Sequence, residues 1–336
     1  MKQEDFQKYV ELALRASSIQ GTLRPVVEKE LLHYEIFSAL DEEGLLKHLV
    51  FQGGTSLRLC RGSDRFSEDL DFAGGKDFSA DRMMKIKDCV TQRVGRRFGL
   101  NVTVKEPRQQ SEIKRVQVDK WMVSVETSPE RRDLPKQKIK LEIANIQAYT
   151  KEVVSLRMNY GVFEGMQPTL VVAESIDEIL ADKLVALPTS IGHMNDEIWT
   201  PTPSRIRYRD IWDIAWLVAQ GAQMDTEMVK MKVSDYGITH FHELLDRAIY
   251  QVPEIAASDA FRVQMSRFVE SRRHKNLFDK PGYEKYFENA VNHLFQVLRQ
   301  DMADVIETLP FNADGQREEA SNLIKKDDIP DYTPLN

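Results

Sequence analysis

The sequence predicts an α+β fold, with a small mixed sheet and its packing helices in the first half and a helical second half. Three observations carry this. A short apolar run at 48–51 and a strand-like segment at 70–72 each stop just before a glycine pair, as buried strands do at tight turns. Two longer stretches, 116–126 and 139–146, alternate apolar and polar side chains with the period of half-buried strands. Beyond about residue 150 the pattern changes to helical spacing.

In chain order, residues 4–47 read as helical, with Tyr9, Leu12, Leu14, Val26, Leu31, Ile36 and Leu40 supplying the apolar positions. His48-Leu49-Val50-Phe51 is a strand ending at Gly53-Gly54, and Thr55 to Arg61 opens a helix after that turn. Leu70-Asp71-Phe72 resumes as a strand, stopped by Gly74-Gly75, and 80–98 is helical. Ser175 and Glu178 have the spacing of a capping box, with Ser175 as N-cap. Helical patterns follow at 206–219, 241–250, 258–274 and 284–307. The last aligns Phe287, Ala290, Val291, Leu294, Leu298 and Met302 on one face. The expected organisation is N-terminal helices at 1–47 packed on a core at 48–155, a helical C-terminal domain at 156–311 and a polar tail at 312–336.

Composition bounds the function. With 42% hydrophobic and 29% charged residues the chain is an ordinary globular one, and no apolar run is long enough to span a membrane. The polar start MKQEDFQK is no signal peptide, and Cys60 and Cys89 form no metal-ligand spacing. A reducing cytoplasm is the expected compartment. A net charge of −7 argues against a protein that coats nucleic acid over its whole surface. It leaves room for a local basic groove: Arg93, Arg96 and Arg97 cluster, as do Arg131, Arg132, Lys136, Lys138 and Lys140, then Arg205, Arg207 and Arg209, and finally Arg272, Arg273, His274 and Lys275. Each cluster is equally readable as a solvated face.

The chemistry concentrates in two motifs. In Phe51-Gln52-Gly53-Gly54-Thr55-Ser56, two glycines allow close backbone approach by a ligand. The helix that follows offers free N–H groups, the positive end of its dipole and two hydroxyls, a cradle for phosphates. It is not a Walker loop, since the Gly-x-x-x-x-Gly-Lys spacing is absent. In Ser67-Glu68-Asp69-Leu70-Asp71-Phe72, strand alternation puts Asp69 and Asp71 on one face. Adjacent carboxylates repel unless a cation lies between them, and Mg²⁺, with its preference for oxygen ligands, suits the pair. On the 139–146 strand, Lys138, Lys140 and Glu142 share the face opposite Ile139, Leu141 and Ile143. Glu142 is either a third metal ligand, the base for an attacking hydroxyl, or a cross-strand ion-pair partner, with Glu126 as the fallback. Downstream, Lys183 stands close to the apolar face of its helix, either snorkelling or aimed into a phosphate site. Asp210 and Asp213 fall in line with Ile214 and Leu217 beside Arg209. His240 and His242 fit a helix start or core pair, with no zinc-hydrolase ligand set around them.

A strand, Gly-Gly-Thr-Ser, a helix, and then Asp-x-Asp beginning 13 residues past Ser56 is the layout of polymerase-β-like nucleotidyltransferases. More closely, the stretches from Val50 to Leu59 and from Arg65 to Phe72, with Glu178-Ile179-Leu180-Ala181-Asp182-Lys183-Leu184 and Arg209-Asp210-Ile211-Trp212-Asp213, resemble the AbiEii/AbiGii toxin family across roughly residues 20–220. The resemblance implies a polymerase-β-like palm with a helical C-terminal domain. It implies an enzyme moving NMP from an NTP to an acceptor hydroxyl, with Mg²⁺ (two ions, Mn²⁺ able to substitute) on Asp69, Asp71 and Glu142. Gly53, Gly54, Thr55, Ser56, Arg65, Lys183 and Arg209 would face the nucleotide phosphates, and Asp210 would assist at the catalytic centre. Family members studied as toxins resemble tRNA nucleotidyltransferases, block translation by extending the tRNA 3′ end, and pair with a cognate antitoxin. One departure is that the third-carboxylate strand often carries Asp in that family and carries Glu142 here. Two alternatives stand beside this: transfer to a protein or small-molecule hydroxyl, and a catalytically idle binding module.

Overall fold

The computed structural model describes residues 3–16, 23–107, 115–131, 133–195 and 198–307. The expected polar tail lies outside them. The predicted first helical stretch comprises two helices, α1 (Phe6–Ala16) and α2 (Arg24–Glu42), the second starting with Pro25 in its first turn, where a missing N–H costs nothing.

The sheet has seven strands: β1 (Val50–Gln52), β2 (Leu70–Ala73), β3 (Val102–Lys105), β4 (Val118–Val125), β5 (Gln137–Ala144), β6 (Glu152–Ser155) and β7 (Leu170–Ala173). Their spatial order is β3-β4-β5-β2-β1-β7-β6. β2 runs antiparallel to β1 and parallel to β5, while β7 runs parallel to β1, so the sheet is mixed, as predicted. Pleating sorts the side chains. Phe51, Phe72, Trp121, Val123, Leu141 and Ile143 are buried on one face, against α2 and against α4 (Ile86–Phe98). There Phe37 of α2 meets Phe51 edge-on at 4.8 Å. The other face is polar at its centre. Because β7 joins beside β1, the sheet reaches residue 173, past the 48–155 span expected for it.

The second half is helical: α5 (Ile176–Ile191), α6 (Tyr208–Ala219), α7 (Thr226–Tyr236), α8 (Phe241–Ala257), α9 (Asp259–Met265), α10 (Ser271–Phe278) and α11 (Tyr283–Glu307), with a hairpin of β8 (Gly192–Asn195) and β9 (Ile198–Pro201) after α5. (The short turn helix Gly53–Ser56, α3, belongs to the first half.) It has its own core, including Ile179, Leu184, Ile214, Leu217, Phe261, Phe287 and Phe295, into which Leu57 reaches from the sheet side. The predicted 258–274 helix is two, α9 and α10. Between them the chain extends so that Phe268 C=O accepts from Phe66 N–H at 2.7 Å and Val269 bridges to Arg65, exchanging helical bonds for a tie to the sheet half. His240 sits at the start of α8.

The capping box forms by half. Ser175 Oγ accepts from Glu178 N–H at 3.1 Å. The Glu178 carboxylate instead accepts from the backbone N–H groups of Tyr149 (2.9 Å) and Thr150 (2.6 Å) and meets Lys232 of α7 at 2.7 Å. A buried cation outcompetes the box because a charged hydrogen bond is worth more than a neutral one.

Candidate active site

The glycine turn places backbone against a carboxylate. Gly53 has φ +75°, and a Cβ there would lie 3.0 Å from Asp71 Oδ2, so glycine is required both by conformation and by room. α3 continues into one wide π-type turn, Leu57–Arg61, which Gly62 ends at φ 83°. Of the four motif residues, Gly53 lines the cleft described below. Gly54 packs against the Arg65 guanidinium. Thr55 is buried and donates its hydroxyl to Asp69 C=O, and the Ser56 side chain is buried as well. The Thr55 hydroxyl thus braces the turn rather than facing a phosphate, whereas the buried Ser56 hydroxyl has no hydrogen-bond partner among the described residues.

Asp71 lies within β2, directly between Gln52 of β1 and Glu142 of β5. Asp69 precedes the strand and contacts Lys140 Nζ at 3.3 Å. Glu142 contacts Lys120 Nζ across the β4–β5 pair at 3.0 Å, so the ion-pair reading of Glu142 holds while it also stands beside Asp71. Burial, then the charges of Glu142 and Asp69, push the Asp71 carboxyl up to about 6. Glu126 is at the far end of β4, 3.6 Å from Lys136, and does not join the carboxylates.

The helical half answers with cations. Lys183 of α5 is buried and bridges Asp210 Oδ1 (2.5 Å) and Asp213 Oδ2 (2.9 Å) of α6. Asp210 spends its other oxygen on Arg207 Nε at 2.5 Å. Against the upward push of burial, Arg207 and Lys183 hold Asp210 far below the ordinary carboxylate range. A carboxylate so held stays ionised and fixes the positions of Lys183 and Arg207. Arg65 makes a two-pronged bond to Asp213, both contacts 2.5 Å, and neither residue is more than 2% exposed in its side chain. Arg65 therefore clamps the two halves together and is not aimed at the cleft. Arg209 rests over the Phe268 ring, 4.8 Å from its centre, with Glu68 3.8 Å away.

These pieces enclose a cleft of about 480 Å³ at the seam, the size range of small-ligand sites. Gln52, Gly53, Asp71 and Glu142 form its floor, and Asp182, Lys183, Thr189 and Arg207 its opposite wall, with Tyr236 at the end of α7. Of the residues singled out in the sequence, Gly53, Asp71, Glu142 and Lys183 line it, Asp69 and Asp210 contact residues at its edge, and Arg65 and Arg209 are turned elsewhere. Arg207, Gln52, Asp182 and Tyr236 were missed. The signal for Arg207 was present: it stands three residues before Asp210, where a side chain can turn back onto it. Among the described residues no three His, Cys, Asp or Glu side chains converge into a complete metal site. The oxygen donors of Asp69 and Asp71 suit a hard divalent cation, whose remaining ligands would have to come in part from outside the protein.

A mixed sheet whose central strands carry Asp71 and Glu142, faced by Lys183 and Arg207 from the helical half, is an arrangement that fits a nucleotidyltransferase. The family model described as "Nucleotidyl transferase AbiEii toxin, Type IV TA system" matches residues 35–293, and the chain belongs to that family. Among solved structures, the nucleotidyltransferase toxin MenT4 of Mycobacterium tuberculosis is similar in fold, with a TM-score of 0.52 at 15% identity, covering 88% of this chain and 98% of MenT4. JHP933 of Helicobacter pylori matches at a TM-score of 0.40 and 17% identity, over 84% of this chain and 96% of its own. A comparison with curated proteins finds no match. No helix among the described residues is long and apolar enough to cross a membrane.

Proposed function

We propose that this nucleotidyltransferase transfers NMP from an NTP to the 3′-hydroxyl of an RNA, tRNA in particular, and so blocks translation as the toxin of a pair with a cognate antitoxin in the cytoplasm. The observation that carries the reading is the cleft itself, where Asp71 and Glu142 face Lys183 and Arg207 across a gap of nucleotide size. Lys183 and Arg207, fixed from behind by Asp210, would bind the triphosphate and stabilise the departing pyrophosphate. Asp69 and Asp71 would hold Mg²⁺, which supplies Lewis-acid polarisation of the phosphoryl oxygens when bound. Glu142, released from Lys120, would accept the proton of the attacking hydroxyl or complete the ligand set. The Gly53 backbone leaves the space that the nucleotide needs beside Asp71.

The test is incubation of the protein with Mg²⁺, each labelled NTP and total tRNA, beside an Asp69→Ala/Asp71→Ala variant. Label on tRNA with the intact chain alone supports the proposal and identifies the nucleotide. Label on protein moves the acceptor and keeps the site. No label and no nucleotide binding refutes it.

A further inference from the structure

The open face of the sheet is a grid whose rows are set by register. One row reads Lys120, Glu142, Asp71, Gln52 across four strands. On one side of it stand Val118, Ala144, Ala73 and Val50; Val118 and Ala144 line the cleft along with α5 residues. On the other side the next row holds Lys105, Met122 and Lys140, with Lys140 reaching Asp69. The row beyond holds Thr103, Ser124 and Lys138. Past that, Glu126 and Lys136 neutralise one another.

Lys105, Lys120, Lys138 and Lys140 are all exposed, whereas their strand neighbours Val104, Trp121, Val123, Ile139 and Leu141 are buried on the opposite face. Lys120 and Lys140 lean on the catalytic carboxylates. Lys105 and Lys138 have no carboxylate partner among the described residues. In a chain of net charge −7, this is a local positive strip that begins at the carboxylate row and runs away from the cleft.

In-line displacement fixes what belongs there. The attacking hydroxyl must approach the α-phosphate from the side opposite the departing pyrophosphate. Lys183 and Arg207 line the cleft, so with the phosphate role proposed above the pyrophosphate would leave on the cleft side of the row and the acceptor would come across the lysine side. Neighbouring lysines along one strand face are about 6.7 Å apart and neighbouring strands about 4.8 Å. That is a flat grid suited to an extended polyanion rather than to one buried anion.

Resting on the RNA-acceptor reading above, we infer that the β3–β4–β5 face with Lys105, Lys138, Lys140 and Lys120 is the track that binds the phosphate backbone of the acceptor strand and delivers its 3′ end to Asp69 and Asp71. Lys140 and Lys120 then serve twice, neutralising the carboxylates in the free protein and turning to acceptor phosphates when the nucleotide is bound.

The decisive variant is Lys105→Gln/Lys138→Gln, both positions away from the carboxylates, with Lys105→Arg/Lys138→Arg as the charge-conserving control. The acceptor is a single-stranded oligoribonucleotide ending in a free 3′-hydroxyl, titrated across salt concentrations. The expected result is an acceptor KM raised at least about fivefold, with the log-affinity against log-salt slope shallower by about 1.4, as loss of two single-strand phosphate contacts requires. The arginine pair should keep both values, and the NTP dissociation constant, measured on the same proteins, reports the cleft separately. An unchanged KM and salt slope in the glutamine pair, while the intact chain labels RNA, overturns the track and leaves the RNA acceptor standing. Label on protein rather than RNA removes the acceptor reading and the track with it.

Discussion

Asp210 is the residue for which the structure makes the sharpest claim, because a carboxylate near a reacting phosphate invites the role of base. Both of its oxygens are taken, one by Lys183 Nζ at 2.5 Å and one by Arg207 Nε at 2.5 Å. The two cations hold it ionised against the cost of burial. Asp210→Asn keeps the shape and removes the charge, turning one oxygen into an N–H₂ that faces a cation. A hydrogen bond to a charged group contributes about 1.5–3 kcal/mol. Loss of one such contact corresponds to a factor of about 10 to 150. The loss should fall on the step that the cations serve, so KM for the NTP should rise by that factor, and binding of the nucleotide measured by calorimetry should weaken in parallel. The pH dependence of kcat/KM should keep its acid limb, because the group that titrates there is not Asp210. A variant with an unchanged KM, a collapsed kcat and a lost acid limb would make Asp210 a proton acceptor and refute the positioning role.

Three further outcomes follow from the packing. Gly54→Ala would drive a methyl group into Arg65 Nη2, with Cζ 3.2 Å away, and that guanidinium is clamped to Asp213; urea denaturation should show a loss of about 1–3 kcal/mol. Lys232 is buried among Glu174 (3.4 Å), Glu178 (2.7 Å) and Asp182 (3.1 Å), so Lys232→Met should cost about 3–5 kcal/mol. Part of that loss should return on acidification, because burial raises the Glu174 and Asp182 carboxyls, which therefore bind protons more readily folded than unfolded; a variant at wild-type stability would show the cluster carries nothing. His33 is fully buried and its pKa is lowered from 6.5 to about 4, chiefly by desolvation. The unfolded chain therefore binds a proton that the folded one refuses. This stability is complete above pH 6.5 and declines as pH falls toward 4, by up to about 3 kcal/mol. The difference in stability between wild type and His33→Gln across that window isolates it, and a pH-independent difference would refute the assignment.

What the sequence revealed and what it hid divide along physical lines. Periodicity exposed β4 and β5, whose alternation is set by one buried and one open face, and it exposed α11, whose apolar stripe packs on α8 and α6. It did not expose β3, β6 and β7, which are four-residue strands too short to show a period. Asp71 and Glu142 could be paired in advance because alternation fixes faces, and the parallel register then set them side by side. The roles of Arg65 and Asp213 could not be read, since their contact joins positions 148 apart in the sequence. Arg65 read as a phosphate ligand because it opens the Arg65–Phe72 stretch of the family resemblance, and Arg207 was passed over because it stands just outside the Arg209–Asp213 stretch. Motif membership reports which residues matter and is silent on which direction a guanidinium points.

The long-range contacts also explain why the cleft sits where it does. The sheet half carries Asp69, Asp71 and Glu142 on one face, an excess of negative charge that Lys120 and Lys140 only partly offset. The helical half carries Asp210 and Asp213, whose two charges Lys183 and Arg207 match in number, but the buried Asp213 takes only Lys183 from its own half. Arg65 leaves the sheet half to complete the helical cluster, and Lys183 and Arg207 leave the helical half to line the wall opposite the carboxylates. The sheet half is thus left with excess negative charge and the helical half with a buried Asp213 that needs Arg65, and the same exchange that binds them leaves a gap with cations on one wall and carboxylates on the other. Such a gap suits the phosphate chain of a nucleotide, the substrate that the family implies. Substitutions at the seam should therefore alter stability and nucleotide affinity together, whereas those on the outer lysine rows should alter neither.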